Sequence, residues 1–118
     1  MIDLVLAEFE ADDWEHEIKL SKGLLVVEFW HEGCVWCKAL EPLLADISER
    51  SPANTKFARL NILASEANMK LPQHYQMMGT PTVIIFCNGE PMQQIVEFRN
   101  KASLEAAFDG ATSECCVQ

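Results

Sequence analysis

The chain has 118 residues, 49% of them hydrophobic, which suits one compact domain with a sizeable core and leaves no room for two. Nine Lys and Arg stand against eighteen Asp and Glu, and the net charge of −9 repels phosphate backbones and anionic membranes, so neither nucleic acid nor a membrane is an expected partner. Five cysteines, an odd count, do not suit a disulfide framework; a reactive pair plus free thiols in a reducing, cytoplasmic compartment fits better.

The apolar start Met1–Ala7 has no basic flank and runs into the acidic stretch Glu8–Glu17. It reads as an edge strand, not as a signal peptide or membrane span. Asp12 or Asp13 can cap a first helix with Trp14 and Ile18 on one face, ending near Gly23. Leu24 to Trp30 is nearly continuous apolar sequence rich in valine, the pattern of a central strand buried on both faces. Glu28 interrupts it, and an acid there must turn to solvent, form an ion pair or stay protonated, because an unpaired buried carboxylate costs several kcal/mol; by the residues alone, exposure at an edge is the simpler reading.

After a short polar corner, Cys34-Val35-Trp36-Cys37 opens a helical pattern in which Leu40, Leu43, Leu44 and Ile47 recur on one face. Cysteines three apart in a first helical turn can meet as a disulfide, and the N–H groups at a helix start favour a thiolate at Cys34. Cys34 is therefore the candidate nucleophile and Cys37 its resolving partner. The spacing alone also fits zinc sites and ordinary core cysteines. Pro42 either bends this helix near Lys38 or starts it, in which case both cysteines lie in a loop.

Ser51-Pro52-Ala53-Asn54 is a turn, and Lys56 to Ile62 reads as a strand whose Arg59 either pairs with Glu28 or reaches to the surface. Ser65 can cap a short helix to Tyr75, limited by Pro72, with His74, Met77 and Met78 as surface and packing residues. Thr82 to Phe86 is a buried strand, Asn88-Gly89 a hairpin signal, and Met92 to Phe98 the antiparallel return. Asn100 caps a last helix carrying Leu104, Ala107 and Phe108 and stopped by Gly110. The domain thus spans residues 1–110, and Ala111–Gln118 reads as a loose tail. Cys87 reads as a packed core thiol. Cys115-Cys116 are inert tail thiols, an electron shuttle to the first pair, or ligands for a soft metal.

Taken in order, these features resemble the thioredoxin family over almost the whole chain. Glu28 falls where that family keeps a buried acid, Trp30 on its tryptophan after the strand, Cys34 and Cys37 on its redox pair, and Pro42 on its helix-kinking proline. Arg59-Leu60-Asn61-Ile62 is similar to the strand bearing a buried lysine, and Gly79-Thr80-Pro81-Thr82 to the cis-proline loop beside the disulfide. Asn88-Gly89-Glu90 resembles the hairpin after it. The resemblance implies an α/β fold with a mixed five-stranded sheet and four helices. It also implies a monomeric oxidoreductase that exchanges disulfides with protein substrates, with electrons from a separate disulfide reductase. Such a protein needs no cofactor and no metal beyond the Cys34–Cys37 disulfide itself.

Glu28 would then move the proton of Cys37. Trp30, Gly33, Val35, Trp36, Thr80 and Pro81 would meet the substrate, and Pro42 and Arg59 would hold the frame. By its residues alone, Pro81 would be a trans residue starting a strand.

The chain departs from the family pattern at several points. Val35-Trp36 replaces glycine and proline between the cysteines, Gly33 stands where the family has tryptophan, and Glu97 and Phe98 replace small residues facing the disulfide, with Glu32 close by. Trp36 either docks substrate or covers the helix end. The absence of histidine between the cysteines points to a reductant. Two other readings compete with this one. One is a non-catalytic module docking an extended peptide at the Thr80 loop; the other is a metal site using Cys34, Cys37 and the tail pair.

Overall fold

A computed structural model describes residues 6–52, 55–96 and 100–115. The start of the expected edge strand, residues 1–5, together with Glu97, Phe98 and Cys116, lies outside the described residues. Eight regular elements follow in order: β1 (Ala7–Glu8), β2 (Leu24–Trp30), α1 (Val35–Arg50), β3 (Lys56–Asn61), α2 (Glu66–His74), β4 (Thr82–Cys87), β5 (Glu90–Ile95) and α3 (Lys101–Glu114). A short helical segment between β1 and β2 makes the fourth helix of the expected set.

The strands form one mixed sheet in the order β1-β3-β2-β4-β5, parallel across the first three and antiparallel at β4 and β5. β2 lies at its centre, which is why it is apolar on both faces apart from Glu28. Alternate side chains go to opposite faces. Leu24 and Val26 join Leu40, Leu44 and Ile47 of α1 and Leu104 and Phe108 of α3 in one apolar cluster. Leu25, Val27 and Phe29 join Trp14, Ile18 and Phe86 in the other. Glu28, two residues beyond Val26, therefore faces the side on which α1 packs.

The segment before β2 is not the single capped helix expected from Asp12 or Asp13. Ala11–Asp13 forms a 3-10 turn and Glu15–Lys19 a π-helical one, with Glu10 at the start making no side-chain cap bond. Tertiary anchors set this winding. The Ala11 N–H donates to Asn68 Oδ1 of α2 at 2.8 Å, and the Trp14 indole N–H to the Tyr75 hydroxyl at 2.8 Å. Asn68 is fully buried and also donates to the Asn61 carbonyl and the Glu10 carboxylate, so one amide ties three segments together.

The hairpin forms as its dipeptide predicts. Asn88 and Gly89 have φ of 50° and 85°, and the Asn88 side chain accepts from the Gly23 N–H. A Cβ at Gly89 would also come within 2.7 Å of the Lys19 carbonyl, so only glycine fits. Pro91 is tolerated because β5 is an edge strand.

The C-terminal expectation needs correcting. Asn100 does cap α3, accepting from the Ser103 N–H at 2.9 Å, but the helix passes through Gly110 and ends at Glu114. Residue Ala111 is fully buried, and Cys115 is buried and disulfide-bonded to Cys87. Residues 111–115 are thus packed structure and not a loose tail, and neither Cys87 nor Cys115 is a free thiol.

Candidate active site

Where β2 ends at Trp30, the turn His31-Glu32-Gly33 reverses the chain, closed by the Cys34 N–H to the His31 carbonyl at 3.1 Å and the Gly33 N–H to His31 Nδ1 at 3.1 Å. Cys34 is extended, with φ −88° and ψ 102°, and caps α1: its Sγ accepts from the Cys37 N–H at 3.2 Å. The cysteines are joined as a disulfide with Cα atoms 5.4 Å apart. Cys34 keeps 7% of its surface exposed and Cys37 only 1%, so an incoming sulfur reaches Cys34 first. Once the bond opens, the helix N-terminus and the Cys37 N–H both favour the thiolate at Cys34. Pro42 sits inside α1, which runs unbroken past it, so both cysteines belong to the helix start and not to a loop.

Glu28, on the face of β2 that α1 covers, is a buried acid. It has no accessible surface, and neither carboxylate oxygen has a hydrogen-bond partner. Burial pushes its pKa from 4.5 up to about 8; the Glu41 carboxylate adds to the rise, the Arg59 guanidinium opposes it and Glu8 contributes a little more. The acid is therefore mainly protonated at neutral pH.

Arg59 is the register partner of Glu28 on β3, yet it does not bond to it. Its Nε donates to Glu8 Oε1 at 2.7 Å and its Nη1 to Glu41 Oε2 at 3.3 Å, and its guanidinium carbon lies 4.1 Å from the centre of the Trp30 ring. The Trp30 indole N–H donates to Glu8 as well, at 3.2 Å. Two carboxylates and an aromatic face thus hold the cation outward, which leaves the acid unpaired. Of the two sequence expectations for Arg59, the one directed away from Glu28 is realised.

Glu8 and Glu41 were not anticipated as site residues. Glu41 carried a signal: four residues after Cys37, it lies one turn on along the same side of α1. Glu8 carried none, because only strand pairing brings β1 beside Arg59.

A cavity of about 420 Å³ opens beside the disulfide, lined by Trp30, His31, Glu32, Cys34, Cys37, Lys38, Glu41 and Arg59. Solvent therefore reaches the level of the pair from the Arg59 side. Val35 and Trp36 stand out on the surface, 76% and 66% exposed. The Thr80–Pro81 bond is cis, so Pro81 is not the trans residue that its local sequence suggested. The next residue, Thr82, pairs with Phe29 of β2, so register places Thr80 and Pro81 at the sheet end where α1 begins. They do not line the cavity.

Among the described residues no group of three or more His, Cys, Asp or Glu is placed to hold a metal ion. Of the sulfurs invoked for one, those of Cys34, Cys37 and Cys115 are in disulfides, and Cys116 lies outside the described residues. No helix of the described residues is long and apolar enough to cross a membrane.

The family model described as Thioredoxin matches residues 5–110. The chain is 27% identical to the thioredoxin of Staphylococcus epidermidis over 104 residues, covering 88% of this chain and 97% of that one. It is 26% identical to the thioredoxin of Staphylococcus aureus over the same length and the same shares.

Proposed function

From the premise that the chain belongs to the thioredoxin family of thiol–disulfide oxidoreductases, we propose that it reduces disulfides in protein substrates through Cys34 and Cys37, drawing electrons from a separate disulfide reductase. The observation that carries this reading is a disulfide at a helix start whose outer sulfur is the more accessible one, with an unpaired acid buried on the side of the sheet that the same helix covers. The setting we propose is cytoplasmic, with the protein acting as a monomer and without a metal or cofactor.

In the forward direction the Cys34 thiolate attacks one sulfur of a substrate disulfide and expels the other as a thiolate. The Cys37 thiol gives its proton to Glu28, and its sulfur displaces the substrate from Cys34. The substrate leaves as two thiolates, which take their protons from solvent, and the Cys34–Cys37 bond is restored. When the reductase reopens that bond, Glu28 returns the proton to the Cys37 sulfur. A pKa near 8 lies close to neutral pH, so the carboxyl can hold the proton while the disulfide is closed and give it up when the bond is opened. A peptide-docking module without a redox step has no use for an acid buried without a partner.

The docking face for an extended segment is formed by Val35, Trp36, Thr80 and Pro81, with Gly33 beside it, while Trp30 braces Arg59. Trp36→Ala is expected to change unfolding free energy by less than about 0.5 kcal/mol, because the ring is mostly exposed, and to raise KM for a protein disulfide. A clear loss of stability in urea, with KM unchanged, would mean that the ring covers the helix end and does not dock substrate.

The direct test is a dithiol-fuelled assay on a model disulfide protein. The expected result is reduction well above the rate with dithiol alone; a rate equal to buffer removes the proposal.

A further inference from the structure

We propose that Cys87 and Cys115 are a second thiol–disulfide couple, whose oxidation fastens the last turn of α3 to the sheet and whose reduction by a dithiol releases that turn. Cys87 ends β4 and Cys115 caps α3, with Cα atoms 5.7 Å apart and the sulfurs bonded. The couple lies at the far end of the sheet from the first one. Cys87 pairs with Leu24, the first residue of β2, whereas Cys34 follows its last, Trp30. Six residues of strand span about 20 Å, so the two disulfides do not exchange within one molecule.

The turn that the bond fastens is packed through Ala111 but is built largely from weak helix formers. Beyond Gly110 come Ala111, Thr112, Ser113 and Glu114, and glycine, threonine and serine all cost helix stability relative to alanine. The last turn of the helix carries no basic residue to complement its end. Only Ala111 and Cys115 of this stretch are buried. The local sequence ends the helix at Gly110; the covalent tie to Cys87 accounts for its continuing.

Cys87 is the partly exposed member and Cys115 the buried one, which sets the direction of attack. One thiolate of an external dithiol attacks Cys87 Sγ and expels Cys115 as a thiolate, which takes a proton from solvent. The second thiol of the reductant then displaces Cys87, which leaves protonated, and the reductant departs as a cyclic disulfide. A disulfide oxidant runs the same exchange backwards. Release opens the apolar cluster that Ala111 and Cys115 close together with Leu24 and Phe108.

The full-length chain carrying Cys34→Ser, Cys37→Ser and Cys116→Ser isolates the couple. It is equilibrated with reduced or oxidised dithiothreitol, alkylated and weighed, and the amide exchange of residues 111–115 is followed in both states. The expected result is no alkylation and protected amides when oxidised. When reduced, two alkylated thiols and exchange at least about tenfold faster in that turn are expected, with the strands still protected. Free thiols in the oxidising buffer, or equal protection in both states, overturn the proposal. Cys115→Ser alone provides a second reading: the turn is unprotected in either buffer while disulfide exchange at Cys34–Cys37 stays within about twofold of the parent. Protection that survives this substitution also overturns it.

Discussion

Glu28→Gln is expected to make the protein more stable at neutral pH and slower as an oxidoreductase. The folded carboxyl titrates at about 8 against 4.5 as an ordinary group. Between those values the folded chain holds a proton that the unfolded chain has released, so stability falls as pH rises through this window, by up to about 1.4 kcal/mol per pH unit. The contribution is fully present below pH 4.5 and lost above pH 8. Glutamine matches the shape and carries no charge at any pH. The variant should therefore exceed the parent by under about 1 kcal/mol at pH 5, roughly 3 at pH 7 and roughly 4 at pH 8, out of a total of typically 5–15. Urea unfolding of both proteins at these three values measures the difference. A difference that does not change with pH would mean that the acid titrates as an exposed one.

The same substitution removes the group that we propose moves the Cys37 proton. Loss of a positioned acid–base group costs on the order of 10²-fold or more in rate, so opening of the disulfide by a dithiol should slow by about that factor at pH 7. The two effects have one origin. Burial without a partner destabilises the charged form, and this is what leaves a proton available on the carboxyl at neutral pH.

How much of this was legible in the sequence depended on whether the cause was local. The CxxC pair, the apolar run of β2 with Glu28 in it, the Asn88-Gly89 turn and the Ser65 and Asn100 caps are written in neighbouring residues, and each formed where expected. The buried state of Glu28 and the cis Thr80–Pro81 bond are not local properties. They were anticipated through the family resemblance, because the residues alone favour the opposite.

What was missed depends on contacts between distant residues. The segment 11–19 takes its irregular winding from Asn68 and Tyr75, about sixty positions away. Arg59 turns outward because β1 brings Glu8 beside it, and α1 brings Glu41. α3 runs past Gly110 to a cysteine bonded to another 28 residues earlier, and nothing in the spacing of five cysteines selects that pair. Helix and turn signals report where a chain can stop; tertiary partners decide whether it does.

Serine at Cys34 and serine at Cys37 are expected to fail in different ways. Cys34→Ser removes the accessible nucleophile, and a hydroxyl at a helix start remains protonated at neutral pH. Reduction of a model disulfide protein should drop to the rate of the dithiol alone, with no covalent complex. Cys37→Ser leaves the attack intact and removes the displacement that follows. One equivalent of substrate should then stay bound to Cys34 as a mixed disulfide, visible by mass without reductant and released by a dithiol.

Turnover in Cys37→Ser depends on the external dithiol in place of an internal thiol one helical turn away. Even an effective concentration of about 1 M, far below what well-oriented intramolecular pairs reach, exceeds a millimolar dithiol by roughly a thousandfold, so the steady rate should fall by about that factor. The asymmetry follows from burial: the sulfur with 1% of its surface exposed cannot meet a protein substrate, and the one with 7% can. If Cys37→Ser trapped no substrate, or if the trapped sulfur belonged to Cys37 in Cys34→Ser, the order of attack would be reversed, and the proton relay through Glu28 would have to serve the other cysteine.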